Sequence, residues 1–349
     1  MLLFSRRIID FFIFFSDQKS FYLEPGIYLR FKRRIELALK NFIKLKNFLL
    51  LIFTSILFFC LTQVPEAGNY ADRQASLRDA LGYEFVLGPP PQRIISLAPN
   101  LTEILFELGA GDKIVGLTRF CNYPPQAAGI EKVGGLLDPS LEKITALQPD
   151  LILAFRGTPL EVLNKLRSSG LPLFVFDEGE KVTELFLLIR TIGLLTRNKD
   201  KASELLFHLE SRLKEVQKRV QTTRTRPRVF ITLASPGLWT CGRQSFLHDL
   251  IELAGGQNVA AFESRRWFAL KIEDLLRSSP EIIVILAPDS RTYEARRDYF
   301  LKEESLKNVA AIQARRFAWL NEDEASRFGP RLIKALEDLA RFLHPEVFN

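Results

Sequence analysis

The chain has 349 residues, 47% of them hydrophobic and 26% charged, the balance of an ordinary folded protein with room for two domains. Its formal net charge of +7 is concentrated ahead of residue 48, where ten lysines and arginines face four acids. The remainder therefore lacks the global basic signature of a nucleic-acid binder, and no nucleic-acid partner is expected.

The basic excess reads as a targeting feature. "KLKNFLLLIFTSILFFCLTQVPEAG" holds an uncharged, mostly apolar run from Phe48 to Leu61, short for a membrane span and suited to a signal-peptide core. Lysines precede it and Glu66 follows, which directs the downstream chain outward. Cleavage, an uncleaved anchor, and lipidation at Cys60 stay open, the last weakened by a large residue, Phe59, just ahead of the cysteine. The expected organisation is a basic extension and signal or anchor segment over 1–68, then a linker over 69–91.

Past the linker, strands alternate with helices: "RIISLA", "KIVGLT", "LILAF" and "LFVFD", then "RVFITLA", "IIVILA" and "RRFAWL". Apolar runs of this kind separated by helical patterns predict α/β architecture with parallel sheets covered on both faces. Asn100 with Glu103 three residues later predicts an Asx capping box for the first helix, and Thr158, Pro159 and Glu161 predict another, with proline at the first helical position. A weak internal repeat adds to this: "ILFELGAGDKIVGL" (104–117) matches "DLIELAGGQNVAAF" (249–262) in pattern. "LEKITALQPDLILAF" echoes "KIEDLLRSSPEIIVIL", each an amphipathic helix, a proline, an acid and a buried strand. Two copies of one unit imply two Rossmann-like lobes, over 92–198 and 223–349.

Between them, "DKASELLFHLESRLKEVQKRV" carries Ala202, Leu205, Leu206, Leu209, Leu213, Val216 and Val220 at helical spacing. This predicts one long helix over 199–222 bridging the lobes, roughly 30 Å at 1.5 Å per residue. Two lobes, a cleft and a stiff bridge describe a ligand receptor.

From about Gln92 to Leu343 the chain resembles the helical-backbone substrate-binding proteins of ABC importers, most closely the branch that binds cobalamin. The resemblance is carried by "RIISLAPNLTEILFELGAGDKIVGLT", "NYPPQA", "LEKITALQPDLILAFRG", "WTCGRQSFLHDLIELAGGQNV", "RRWFALKIEDLLRSSPEIIVI" and "GPRLIKAL". It implies a ligand cleft between the lobes and no catalysis. A corrinoid, broad and rimmed by amides, would be the transported ligand, with no resident cofactor or metal. The implied partners are a membrane permease with its ATPase subunits, served by an exported monomer, periplasmic or tethered to the outer face of the cytoplasmic membrane. A corrinoid suits aromatic walls with a few polar groups. The resemblance places Tyr123, Phe155, Trp239 and Trp267 at such walls, and Asp323 and Arg327 at the cleft edge, where they would bond ligand amides. It assigns Glu161 and Glu273, one per lobe, to docking on permease arginines.

The chain departs from that branch at Leu136, Phe155 and Glu324, where aromatic surface is reduced, and at Ala254 and Ala340, where a cysteine pair is lost. Cys121 and Cys241 fall on loops of opposite lobes expected to face the cleft; a bridge between them would clamp the site, but free thiols are the expectation. His208, His248 and His344 are scattered, which argues against a metal-ion receptor. Arg156, Arg243, Arg265 and Arg266 keep open an anionic siderophore or haem, with Tyr123 or Cys121 as the iron ligand for haem. An exported two-domain α/β enzyme is the rival of a different class, but the chain lacks a Gly-x-Ser-x-Gly elbow, a His-Glu-x-x-His motif and a phosphate loop.

Overall fold

Short apolar runs bounded by turn residues can satisfy both burial and backbone hydrogen bonding only inside a covered sheet. The chain is built this way in a computed structural model that describes residues 76–348 together with Leu37 and Lys40. Residues 1–73 form a unit of their own, in which Leu37 and Lys40 are helical and exposed. The expected basic extension, the apolar run 48–61 and Cys60 lie outside the described residues. Among the described residues no helix is long and apolar enough to cross a membrane.

The second unit, residues 74–349, holds both lobes. It opens with an antiparallel hairpin, β1 (Ser76–Arg78) and β2 (Glu84–Val86), in the segment expected to be a linker. Asp79 organises its turn, accepting from the Leu81 and Tyr83 amides at 2.9 and 3.0 Å and pairing with Arg167. The Ala80 amide donates to the Val175 carbonyl at 2.8 Å, which ties the hairpin to a sheet edge. Its polar composition concealed an element stabilised through contacts distant in sequence.

The first lobe runs β3 (Ile94–Ser96), α1 (Pro99–Glu107), β4 (Ile114–Leu117), α2 (Leu141–Ala146), β5 (Leu151–Phe155), α3 (Leu160–Ser168), β6 (Leu173–Phe176) and α4 (Glu184–Leu195). Helix α5 (Lys199–Val220) follows. The second lobe runs β7 (Arg228–Leu233), β8 (Trp239–Cys241), α6 (Phe246–Leu253), β9 (Gln257–Asn258), β10 (Trp267–Ala269), α7 (Ile272–Ser278), β11 (Ile282–Ala287), α8 (Ser290–Lys302), α9 (Ala310–Gln313), β12 (Phe317–Asn321), α10 (Glu322–Ala325), α11 (Leu332–Leu343) and α12 (Pro345–Phe348). The two four-stranded parallel sheets have the orders β4-β3-β5-β6 and β9-β7-β11-β12. In each, the second strand lies outside the first and the third and fourth lie on its other side, so the lobes share one topology.

The repeat extends to individual hydrogen bonds. Helices α1 and α6 both stop at a left-handed glycine, Gly109 and Gly255. The following amides, Ala110 and Gly256, reach back to Leu105 and Ile251 at 2.8 and 2.9 Å, as in a Schellman motif. The glycines fall one position apart in the sequence match, so the structural repeat slips by a residue there. Helices α2 and α7 end at left-handed Gln148 and Ser279, each followed by proline and then an acid. Asp150 accepts from the Arg93 amide at 2.9 Å and Glu281 from the Arg228 amide at 2.9 Å, which pins each acid to the start of the neighbouring strand.

Neither expected capping box forms. Helix α1 begins at Pro99 after Ala98, without a side-chain cap, and Pro159 is the N-cap of α3, not its first helical residue. The polar side chains at these starts have other partners: Asn100 and Glu103 reach the opposite lobe, and Glu161 pairs with Lys165 at 2.7 Å. The inner faces of both sheets share one core with α1, α4, α5, α6 and α11, and each outer face has a core of its own. Along α5, Ala202, Leu206, Leu209, Leu213 and Val216 are buried while Leu205 and Val220 are partly covered. The helix packs on α4 of the first lobe and α11 of the second, with the Arg212–Glu337 pair at 2.7 Å reinforcing the latter contact.

Candidate ligand cleft between the lobes

In open parallel sheets, ligands collect beyond the carboxyl ends of the strands, where neighbouring connections diverge. Phe155 occupies this position at the end of β5, half-buried, with its ring 6.3 Å from that of Phe176. Tyr123 lies on the loop after β4, half-buried beneath the Arg331 guanidinium, which stands 3.8 Å from its ring centre. In the second lobe, β8 and β10 pair antiparallel with Trp267 opposite Cys241 and Trp239 opposite Ala269. Directly paired residues and those two apart share a face, so this register puts both tryptophans on one side of the ribbon. Trp239 is 43% exposed and Trp267 half-buried.

Asp323 in α10 and Arg327 just beyond it form an ion pair at 2.5 Å, and both engage Asn122 of the first lobe. The Asn122 amide nitrogen donates to Asp323 at 2.8 Å, and Arg327 donates to the amide oxygen at 2.6 Å. Tyr123, Asp323 and Arg327 are thus brought into one cluster by Asn122 and Arg331, neither of which the sequence pattern singled out. Below it lies a deeper tie: Arg331 donates to Glu103 through its amide at 2.9 Å and its Nε at 2.8 Å, and Asn100 donates to the Phe328 carbonyl at 2.9 Å. Burial pushes the Glu103 carboxyl above the usual range although Arg331 pulls it down. Burial also pulls the Arg327 guanidinium below its usual range, with Asp323 opposing.

A second set of bridges joins the lobes. Arg266, adjacent to Trp267, reaches Asp177 at 3.6 Å and Glu178 at 3.5 Å across the lobes, and Asp249 accepts from the Val182 amide at 2.8 Å. Burial raises the Glu178 carboxyl above its ordinary value, with Arg266 pulling it back. Beside these bridges lies a cavity of about 460 Å³ whose walls include Phe174, Phe176, Glu178, Leu188, Arg266 and Phe328. None of the six residues expected at the cleft lines it. Of the arginines offered to an anionic ligand, Arg156 is paired with Asp177, Arg265 with Glu263, and Arg266 with both Asp177 and Glu178.

The cysteines are not exposed in the cleft. Both are free and buried. Cys121 accepts from the Thr102 hydroxyl at 3.1 Å. Cys241 is enclosed in β8, where burial pushes its thiol up to about 12. Each packs as a small apolar residue within the shared core, which removes Cys121 as a ligand to haem iron. Among the described residues no group of three or more metal-ligating side chains converges.

Glu161 and Glu273 stand exposed in the first turns of α3 and α7, on different lobes. Glu161 is held below its ordinary range by Lys165, whereas Glu273 has no ion pair among the described residues. Leu136 is exposed on the loop before α2, and Glu324 is paired with Lys334 at 2.8 Å. Ala254 and Ala340 are fully buried, so small side chains fill the space there.

The periplasmic binding protein family matches residues 94–324. An ABC transporter substrate-binding lipoprotein of Bacillus subtilis, YvrC, is 27% identical over 300 residues, covering 81% of this chain and 93% of its own. The solved periplasmic vitamin B12-binding protein of Vibrio cholerae superposes with a TM-score of 0.62 at 27% identity, over 73% of this chain and 98% of its own. A periplasmic haem-binding protein of Roseiflexus shares the fold, with a TM-score of 0.66 at 24% identity, over 73% of this chain and 99% of its own. The chain therefore belongs to the periplasmic binding protein family, whose members here are substrate-binding proteins of ABC transporters and not enzymes.

Proposed function

We propose that this protein captures a corrinoid, cobalamin or a close relative, outside the cytoplasmic membrane and delivers it to an ABC permease. The observation that carries the reading is the interlobe cluster in which Asp323 and Arg327 engage the Asn122 side chain, with Tyr123 next to Asn122. Phe155 and Tyr123 supply apolar area from one side, and Trp239 and Trp267 share one face of a ribbon on the other. A flat macrocycle gains most of its binding from such surfaces, and its polar rim is read by a few groups at the edge. The similarity to the vitamin B12-binding protein of Vibrio cholerae supports the same ligand class.

The braces between lobes bear on how capture proceeds. Helix α5 and the Glu103–Arg331 tie hold the lobes at nearly fixed spacing, so entry exchanges the outer bridges at Asn122 and Arg266 for ligand contacts. Glu161 and Glu273 are the docking carboxylates, and the ATPase subunits of the permease drive release. The apolar run 48–61 directs export, with the folded unit released or tethered at the outer face of the membrane. Calorimetry of the purified protein with cyanocobalamin, haemin and a ferric siderophore tests the ligand. Saturable one-to-one binding of cyanocobalamin is expected, and binding of haemin alone overturns the ligand while leaving the receptor reading intact.

A further inference from the structure

We infer that Arg296 is the positioning residue for Trp239, acting through the Gly237 carbonyl at the bend between β7 and β8. The inference rests on the reading of Trp239 as a wall of the ligand cleft and names what holds that wall in place. Arg296 lies midway along α8 and is only 7% exposed, yet it has no acid partner among the described residues. Its Nη2 donates to the Gly237 carbonyl, and its Nε is buried without a partner. Its guanidinium stands 4.7 Å from the Tyr299 ring centre and 4.8 Å from that of Phe300. Burial pulls the guanidinium below its usual range, with Tyr299 opposing.

Stability alone does not account for this arrangement. Residues 235–237 are exposed, so water would satisfy the Gly237 carbonyl, whereas burial of an unpaired cation is costly. What the contact fixes is the geometry of the bend. Among the described residues it is the one hydrogen bond that residues 235–237 make. The flanking bonds lie at Ala234, whose amide donates to the Leu286 carbonyl, and at Leu238, whose carbonyl accepts from the Leu270 amide. Gly237 has φ +86°, and the Trp239 indole lies against it, with Cδ1 and Nε1 each 3.5 Å from where a β-carbon would stand. Trp239 is exposed, and its indole makes no hydrogen bond of its own among the described residues. Its placement therefore follows from the bend on which it rests, and the bend follows from Arg296. The arginine raises affinity by the share of time it keeps Trp239 in its binding position.

Calorimetry with cyanocobalamin on the full chain, on Arg296→Met, on Trp239→Ala and on the two combined tests the assignment. Arg296→Met is expected to weaken binding roughly tenfold, and to weaken it little further once Trp239 is alanine, because the arginine acts through that indole. Equal losses in both backgrounds mark a merely structural arginine and overturn the inference, as does unchanged affinity in Arg296→Met. A readout without ligand separates the inference from the corrinoid reading. With Trp267→Phe and Trp319→Phe, Trp239 is the sole tryptophan. Arg296→Met in that background is expected to lower its fluorescence anisotropy and raise its quenching by acrylamide, and no change in either overturns the inference. If none of the proteins binds cyanocobalamin, the corrinoid reading falls and the fluorescence decides the role of Arg296. Arg296→Gln, whose amide stops two bonds short of the Gly237 carbonyl, takes the place of the methionine variant if that one does not fold.

Discussion

Replacing Glu103 by alanine removes the carboxylate that holds Arg331 across the lobes. The Glu103 side chain is 2% exposed and that of Arg331 19%, and two hydrogen bonds below 3 Å join them. Arg331 Nη2 is already buried without a partner, so the remaining guanidinium would face its desolvation almost alone. Breaking a buried pair from one side costs about 3–5 kcal/mol, whereas replacing both partners with apolar residues of similar volume is often neutral or stabilising. Glu103→Ala is therefore expected to lose about 3–5 kcal/mol. Glu103→Met with Arg331→Met should stay within about 2 kcal/mol of the original, that margin covering the lost stacking on Tyr123.

The pH dependence has a definite sign. Burial raises the folded carboxyl above the ordinary value of 4.5, so the folded state holds its proton more tightly than the unfolded chain does. The resulting cost is absent below 4.5 and grows as pH rises through the folded value. The original protein should therefore lose stability relative to the double variant as pH climbs through that window. Urea unfolding followed by tryptophan fluorescence from pH 4 to 7 measures both effects. A single-variant loss below about 1 kcal/mol, or a double variant as unstable as the single, would refute the reasoning.

With the Cys241 thiol pushed up to about 12 and both core cysteines buried, iodoacetamide at pH 8.5 should leave Cys121 and Cys241 unmodified until denaturant is added; mass spectrometry of the separate peptides reads the result. Glu161→Arg together with Glu273→Arg is expected to abolish uptake in cells while calorimetric affinity stays unchanged, and normal uptake removes the docking assignment. Leu213→Ala empties a buried position on the helix that braces both lobes and should cost about 2–5 kcal/mol in urea unfolding.

The features legible in the sequence are the ones encoded over short distances. Apolar runs marked the eight strands of the two sheets except β9, whose two residues, Gln257 and Asn258, carry no apolar signal. Heptad-like spacing marked α5, and the matched "QPD" and "SPE" turns marked a duplication that the structure extends to left-handed Gln148 and Ser279. Asn100, Glu103 and Glu161 fit a capping pattern but do not cap, because the same residue types also serve other partners: Phe328 and Arg331 across the lobes for the first two, and Lys165 one turn on for Glu161. The hairpin over 76–86 was missed because its six strand residues alternate exposed and half-buried, without a buried stripe. Within the candidate site, the aromatic residues were proposed through resemblance, Glu103 was singled out only as a cap, and Asn122 and Arg331 gave no signal that a sequence pattern could supply.

The sequence by itself determined that two α/β units flank one long helix, since periodicity, glycine stops and proline turns act between near neighbours. It also determined the family, through the order and spacing of those units. Only the tertiary structure decided which groups face one another: Asn122 with Asp323 and Arg327, Glu103 with Arg331, and the two tryptophans on one face of a ribbon. The first two contacts join residues some two hundred positions apart, and the third depends on strand register. They are set by how the whole shared core packs, because no local segment carries the information about its distant partner.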